Sequence, residues 1–202
     1  MRISEIFRSL QGEGRNQGFI TTFVRLAGCN LDCRWCDTPY AKAGGKEVPV
    51  EEVFRAVEFL PCRRVCITGG EPLLQLGEVT DLVRRLHGAG YRVEIETNGT
   101  IGFSSLQPHS AICMDVKCPS SGEESDLSLL SRIGPGDSVK FVVGDAGDLA
   151  YAREVMASHP VQGEFLISPV HGSDAGALAR LVLDWNLPAR FQMQLHKILG
   201  VK

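Results

Sequence analysis

Three of the seven cysteines lie within eight residues of one another, in the stretch GCNLDCRWCDT from Gly28 to Thr38. Cys29, Cys33 and Cys36 have the spacing C-x3-C-x2-C, which brings three thiols into one loop and is too tight for two disulfides. A structural zinc ion needs a fourth protein ligand, whereas a 4Fe–4S cluster with three cysteine ligands keeps one iron open for another molecule. The spacing therefore favours a catalytic iron–sulfur cluster.

The other four cysteines are scattered along the chain, at Cys62, Cys66, Cys113 and Cys118. This distribution argues against a disulfide framework, and we expect all four to be buried small hydrophobic residues. Cys62 or Cys66 is the only candidate for a fourth zinc ligand near the loop in sequence. A predicted helix separates both from it, so a zinc site stays the less favoured alternative.

A second stretch with possible chemistry is TGGEP, from Thr68 to Pro72, directly after the apolar run RVCIT. Glycine lets the backbone approach a ligand closely, and the Glu71 carboxylate could order the segment or bind an amine. The alternative is an ordinary strand-to-helix turn with proline at the first helical position.

Composition limits the possible functions. The 202 residues are 44% hydrophobic, which suits a single core, and we expect residues 1–202 to form one domain. Lys and Arg number 21 against 24 Asp and Glu, so the net charge of −3 predicts no nucleic-acid partner. No stretch has the length and apolar content of a signal peptide or membrane span, so we expect a cytoplasmic protein with no membrane partner.

Apolar runs rich in β-branched residues alternate with helical patterns, which predicts an α/β fold with parallel strands. The predicted helices cover Val50–Leu60, Glu78–Gly90, Asp148–His159 and Ala175–Trp185. The predicted strands are Ile20–Ala27, Arg64–Thr68, Tyr91–Thr97, Ala111–Lys117, Ser138–Val143, Glu164–Ser168 and Arg190–His196. Because a complete eight-stranded barrel takes about 250 residues, we predict an incomplete TIM-type barrel, with an open doubly wound sheet as the alternative.

Nearly every predicted strand ends in polar or glycine-rich residues. Examples are the cysteine loop after the first strand, TGGEP after the second and ETNGT after the third. The active site of a parallel α/β fold lies at the carboxyl ends of its strands, so we expect these segments to converge on one cavity.

The cysteine loop, with Trp35 before its last cysteine, resembles the signature of the radical S-adenosylmethionine superfamily, and TGGEP resembles its glycine-rich methionine-binding segment. The two motifs together are specific, whereas either alone is weaker. The resemblance implies a 4Fe–4S cluster whose open iron binds S-adenosylmethionine. An electron from the cluster would then cleave it to a 5′-deoxyadenosyl radical that takes hydrogen from a substrate.

Five further segments resemble the 7-carboxy-7-deazaguanine synthase family, a group of lyases in queuosine and deazapurine biosynthesis. They are SLQGEG, FVRLAGCN, CDT, ETNGT and the terminal LHKILGVK, so the resemblance spans almost the whole chain. It implies conversion of 6-carboxy-5,6,7,8-tetrahydropterin to 7-carboxy-7-deazaguanine with loss of ammonia. It also implies a homodimer and an electron donor such as flavodoxin or ferredoxin. A glycyl-radical-enzyme activase and a non-catalytic zinc or iron–sulfur module remain the alternatives.

The resemblance also implies roles for individual residues, none of them as a catalytic residue beyond the cluster and S-adenosylmethionine. Thr38 matches a position that binds Mg2+, although a capping threonine is the alternative. Arg25 suits a carboxylate, with a surface salt bridge as its competitor. The positions implied for substrate binding are Gln11, Gly12, Glu13, Arg25, Thr68, Glu96, His196 and Lys202.

A further set matches positions that bind S-adenosylmethionine in the superfamily. Asp115 and Val116 replace a Ser-Pro pair of the family pattern, and only Pro169 closely matches the turn that approaches the adenine. The complete set is Asp37, Gly70, Glu71, Asp115, Val116, Lys117, Ser168, Pro169, Val170 and His171.

Overall fold

The strands form one open, nine-stranded sheet in the computed structural model, which describes residues 1–202. The strand order is β3-β1-β2-β4-β5-β6-β7-β8-β9. The bounds are β1 Arg2–Leu10, β2 Ile20–Leu26, β3 Lys46–Glu47, β4 Arg64–Gly69, β5 Arg92–Thr97, β6 Ala111–Val116, β7 Ser138–Val143, β8 Glu164–Pro169 and β9 Ala189–Phe191.

The seven predicted strands correspond to β2 and β4–β9, and every pair of neighbours among them is parallel. This arrangement confirms the incomplete TIM-type barrel. The sequence did not predict β1, which pairs antiparallel with β2 and β3. Its register shifts between Ile3 and Glu5, and this irregularity breaks the alternation of apolar and polar residues by which a strand is recognised.

Five α-helices pack on the sheet or close its end, and four of them match the predicted ones within two residues at either end. The bounds are α1 Val50–Glu58, α2 Leu76–Gly88, α3 Ala146–Ser158, α4 Ala175–Asp184 and α5 Leu195–Leu199. None of these helices has the length and apolar character needed to span a membrane.

The last predicted strand, Arg190–His196, is wrong over most of its length. β9 ends at Phe191, and His196 lies in α5. The chain leaves the sheet there because it bonds to the N-terminal segment instead. The backbone N–H of Leu195 donates to the carbonyl of Gly12 at 2.9 Å, and the Gln194 side chain donates to Glu13 at 3.0 Å.

The two faces of the sheet differ in chemistry. The face toward the helices carries a hydrophobic core of 35 buried residues, including Ile67, Ile95 and Phe141. The opposite, inner face carries polar residues in register, such as Asp115 beside Lys140. Side chains alternate between the faces of a strand, so each strand contributes to the core and to the inner face.

Candidate active site

The polar strand ends converge on one cavity of about 680 Å3 at the carboxyl end of the parallel sheet, as expected. Its volume lies in the range of small-molecule sites. Eighteen of the residues singled out in the sequence line it: Gln11, Gly12, Glu13, Arg25, Cys29, Cys33, Cys36, Asp37, Thr38, Thr68, Gly70, Glu96, Asp115, Lys117, Val170, His171, His196 and Lys202.

The cysteine loop forms one wall of this cavity. Cys29, Cys33 and Cys36 are free, partly exposed thiols. Burial raises the pKa of Cys33, and the positive charge of Lys117 opposes this effect. No three His, Cys, Asp or Glu side chains converge on a point suited to a single metal ion. A 4Fe–4S cluster does not need such convergence because each thiolate binds a different iron, so the donor set fits a cluster.

Two glycines allow chain segments to approach each other closely around the cavity. A Cβ added to Gly70 would lie 2.1 Å from the carbonyl oxygen of Gly28, so the glycine-rich segment can pack directly against the start of the cysteine loop. A Cβ added to Gly12 would lie 2.0 Å from Nδ1 of His196. Gly12 therefore permits α5 to dock on the N-terminal segment.

Glu71 orders the segment around it and does not line the cavity. Its buried carboxylate accepts hydrogen bonds from Leu73 N at 2.9 Å, Thr97 Oγ1 at 2.9 Å and Asn98 N at 2.7 Å. Burial raises the pKa of Glu71, while these donors oppose the effect. Of the two roles considered for Glu71, the structure favours ordering of the chain.

Three further residues from the predicted cofactor set also lie outside the cavity wall. Val116 points into the hydrophobic core, which its position on β6 dictates because its neighbours Asp115 and Lys117 line the cavity. Ser168 and Pro169 are buried within β8. Their side chains are therefore not available to a ligand in the cavity.

Gln11, Thr68 and Glu96 form a hydrogen-bonded group on the cavity floor. The Gln11 amide donates to Glu96 Oε1 at 3.1 Å, and the Thr68 hydroxyl donates to Glu96 Oε2 at 3.0 Å. The three side chains come from a loop and two neighbouring strands, β4 and β5. Such a group offers donors and acceptors in fixed positions, which suits recognition of a planar polar ligand.

A charged cluster connects the N-terminal segment to β6 and β7. Lys140 Nζ lies 2.7 Å from Glu13 Oε2 and 3.2 Å from Asp115 Oδ1, and Lys117 Nζ lies 3.0 Å from Asp115 Oδ2. Although burial opposes the charge, Asp115 and Glu13 hold the pKa of Lys140 well above its ordinary value. The cluster keeps both of these carboxylates paired.

Arg25 has a protein partner on one side only. Its Nε lies 3.0 Å from Glu5 Oε1, which also accepts a hydrogen bond from the Tyr40 hydroxyl at 2.8 Å. Lys202 also pairs with Glu5. The terminal nitrogens of the Arg25 guanidinium make no hydrogen bond within the chain and are free to bind a carboxylate in the cavity.

Thr38, Asp37 and His196 meet at the rim. The Thr38 hydroxyl donates to Asp37 Oδ1 at 3.0 Å, and His196 Nε2 lies 3.5 Å from Asp37 Oδ2. Although burial opposes ionisation, His196 and Lys197 hold the pKa of Asp37 below its usual range. The Thr38 hydroxyl makes no side-chain cap hydrogen bond to the short helix that follows it. Oxygen donors at this position suit a hard cation such as Mg2+.

Sequence reasoning missed Lys140, Glu5 and Gln194, all of which line the cavity or hold residues that do. Lys140 had a detectable signal because it is the one charged residue in the apolar strand SVKFVV. Glu5 lies in the unpredicted strand β1, and Gln194 lies in the segment wrongly predicted as a strand. Among the scattered cysteines, Cys62 is partly exposed instead of buried, and its thiol donates to the Ile20 carbonyl at 3.0 Å.

Comparisons with known proteins agree with this geometry. Residues 23–107 match the radical SAM superfamily. A 7-carboxy-7-deazaguanine synthase of Methanospirillum hungatei is 54% identical over 100% of this chain and 86% of its own length, and one of Koribacter versatilis is 38% identical over 98% and 96%. The crystal structure of QueE from Escherichia coli superposes with a TM-score of 0.80 at 27% identity, covering 96% of this chain and 94% of that one. The chain therefore belongs to the 7-carboxy-7-deazaguanine synthase family of radical S-adenosylmethionine enzymes.

Proposed function

We propose that this chain converts 6-carboxy-5,6,7,8-tetrahydropterin to 7-carboxy-7-deazaguanine with loss of ammonia. One observation carries the proposal: a loop of three free thiols and a group of amide, carboxylate and guanidinium side chains face the same 680 Å3 cavity. A zinc module would require the thiols alone, and a glycyl-radical-enzyme activase would share the cluster but act on a large protein partner. The second group of side chains provides for a small polar substrate with a carboxylate.

Cys29, Cys33 and Cys36 would hold the 4Fe–4S cluster, and Gly70 would bring the backbone near S-adenosylmethionine. Together these groups supply a radical that takes hydrogen from a bound substrate. Lys117 lies close enough to Cys33 to influence its pKa and would partly offset the negative charge of cysteine thiolates. Lys117 and Asp115 line the cavity and are available to S-adenosylmethionine.

The remaining residues would hold the pterin. Gln11, Thr68 and Glu96 offer hydrogen-bonding groups to its amino and amide edge, and the free side of Arg25 would take its carboxylate. Glu13 is fixed by Lys140 and Gln194 at one side of the same cavity. These contacts would orient the substrate in the cavity.

Mg2+ at Thr38, a homodimer and an electron donor such as flavodoxin or ferredoxin complete the proposal. Thr38 and Asp37 supply neighbouring oxygen atoms, and a substrate carboxylate would add more. A cytoplasmic location is supported by seven cysteines that all remain free thiols. Residues 1–202 would act as one catalytic domain, consistent with a single sheet and a single core.

The test is an anaerobic assay after reconstitution with iron and sulfide. Reductant, S-adenosylmethionine, Mg2+ and 6-carboxytetrahydropterin are added, and products are followed by mass spectrometry. We expect 7-carboxy-7-deazaguanine from the wild type and a loss of at least about 1000-fold in Cys33→Ala, because loss of one ligand disables the cluster.

Cys62→Ala is the matched control because Cys62 is also a partly exposed cysteine but does not line the cavity. It should keep both the cluster absorbance and the turnover of the wild type. Cluster-dependent 5′-deoxyadenosine without the deazaguanine product would contradict the proposed substrate. A verified cluster that yields neither product would contradict the catalytic assignment itself.

A further inference from the structure

Glu94 is a buried carboxyl group beneath the substrate side of the cavity, and it has no place in the function proposed above. It lies two residues before Glu96 on β5 and is 4% exposed. Its Oε2 atom accepts hydrogen bonds from Gln11 Nε2 at 3.4 Å and from Asn16 Nδ2 at 3.1 Å. Burying a carboxyl group costs free energy unless the group is hydrogen-bonded, so the contacts of Glu94 are needed to keep it in this position.

The first consequence concerns the Gln11 amide. The same Nε2 atom donates to Glu94 at 3.4 Å and to Glu96 at 3.1 Å, so both amide hydrogens are directed at carboxylates. Turning the amide over would place its oxygen against carboxylate oxygens, which is unfavourable. The two glutamates therefore permit one orientation of the amide. In that orientation the Gln11 carbonyl oxygen has no protein partner, and it belongs to a residue that lines the cavity.

The second consequence concerns Glu94 itself, which is held from the far side. Asn16 donates to Glu94 and accepts a hydrogen bond from Arg64 Nη1 at 2.9 Å, so its own amide orientation is also determined. Burial, followed by the charge of Glu96, raises the pKa of Glu94 to about 7. A carboxyl group keeps an acceptor oxygen in both protonation states, so the contact to Gln11 survives this titration.

We propose that Glu94 is a positioning residue that fixes the Gln11 amide with its carbonyl oxygen available to the ligand, so that the site selects molecules presenting an N–H donor there. The amino group of a pterin is such a donor, and a ligand with a carbonyl oxygen in its place would meet repulsion. The identification of the donor as a pterin amino group rests on the proposed function. The orientation of Gln11 rests on the contacts alone.

The test measures selectivity of binding without turnover. Cluster-loaded protein with S-adenosylmethionine and no reductant is titrated anaerobically with two fluorescent probes, 6-carboxypterin and 6-carboxylumazine, which differ by an amino group against an oxo group. We expect the wild type to prefer the pterin by about tenfold or more, as a site built to bond a donor does. Glu94→Met, which offers no strong acceptor, should reduce this preference to about threefold or less, because Gln11 is then held only by Glu96, a cavity residue that the ligand itself can engage.

Three comparisons separate positioning from general structural damage. Glu94→Gln should restore the wild-type preference to within about threefold, because its amide oxygen accepts the same hydrogen bonds. Ser138→Ala, which alters another buried polar residue of the inner face, should leave the preference unchanged. The affinity for S-adenosylmethionine should be the same in all variants. Should Glu94→Met not fold, Glu94→Asp takes its place because the shorter side chain withdraws from Gln11.

The results that overturn the inference are distinct from those that overturn the proposed function. An unchanged preference in Glu94→Met or Glu94→Asp would show that Glu94 does not set the Gln11 orientation. An equal loss of affinity for both probes and for S-adenosylmethionine would show a structural role only. A wild type that binds neither probe would contradict the pterin substrate, and the ligand named for Gln11 would fall with it.

Discussion

The two faces of the sheet have different roles although both belong to the same strands. On the helix-facing side, Ile67, Ile95 and Phe141 belong to a continuous hydrophobic core. On the inner side, Glu96, Asp115 and Lys140 surround the cavity and bond to one another or to neighbouring polar groups. Because side chains alternate along a strand, a residue and its immediate neighbour can serve stability and chemistry separately.

Burial has different energetic consequences on the inner face and on the face toward the helices. Apolar side chains gain free energy by leaving water, whereas a buried charge is stable only when it is paired or hydrogen-bonded. Lys140 meets this requirement through Glu13 and Asp115. Removing one residue of an inner-face ion pair therefore leaves a buried charge without its partner. This desolvation penalty does not arise among the apolar side chains of the core.

Lys140 and Phe141 are adjacent in β7 and point to opposite faces, so they test the comparison directly. Lys140→Met should lower the free energy of unfolding by about 3–5 kcal/mol, because the buried Glu13 carboxylate loses its cationic partner and Asp115 keeps only Lys117. Phe141→Ala should lower it by about 3–5 kcal/mol through the cavity it leaves in the core. Chemical denaturation followed by circular dichroism measures both changes.

Only Lys140→Met, the variant on the inner face, should also weaken substrate binding. Lys140→Met removes the positive charge that links Glu13 to Asp115, and we expect its KM for the pterin to rise by about tenfold or more. Phe141→Ala should keep KM within about threefold of the wild type at a temperature where both variants are folded. Equal effects on KM would mean that the two faces are not functionally separate.

Sequence patterns predicted the face toward the helices better than the inner face. The seven parallel strands follow from runs such as RVCIT and YRVEIET, because burial on the helix side imposes a regular apolar pattern. The register shift after Ile3 hid β1 and with it Glu5. The single lysine in SVKFVV indicated an unusual position but not its partners, because Glu13 is 127 residues away along the chain.

The candidate site shows the same limit. Motif spacing and family resemblance indicated which residues line the cavity, including Gln11, Arg25 and Cys33. They did not indicate that Val116 faces the core, and they left open whether Glu71 orders the chain or binds an amine, which its bond to Asn98 N decides in favour of ordering. Those roles depend on strand register and on contacts between distant segments, which local pattern does not encode.

The charge state of Glu94 should make the inner face sensitive to pH. Its pKa is raised from 4.5 to about 7 in the folded protein. The protonated carboxyl group therefore contributes its full stabilisation below about pH 4.5, and this contribution is lost as the pH rises through 7. Glu94→Gln does not titrate. Its free energy of unfolding relative to the wild type should therefore increase by up to about 3 kcal/mol between pH 5 and pH 8.

Urea denaturation of both proteins across this pH range provides the measurement. The groups around Glu94 that bear on the result come from several elements: Gln11, Asn16, Arg64, Cys66, Glu96, Cys113 and Lys140. Because the same groups surround residue 94 in both proteins, their own titration largely cancels in the difference. A difference that stays flat with pH would mean that Glu94 is ionised throughout the range.

The smallest expected effect concerns a buried hydroxyl without a hydrogen-bond partner, which occurs once on each face of the sheet. The hydroxyls of Thr22 and Ser138 are both buried without a hydrogen-bond partner. Thr22 pairs in register with Val65 of the core, so Thr22→Val should raise the free energy of unfolding by about 1 kcal/mol by removing an unpaired polar group from apolar surroundings. Ser138 lies beside Cys113 on the inner face, where Ser138→Ala should change it by less than about 0.5 kcal/mol. Matched thermal unfolding curves would decide the point, and a larger gain at Ser138 would mean that the inner face around it is as apolar as the core.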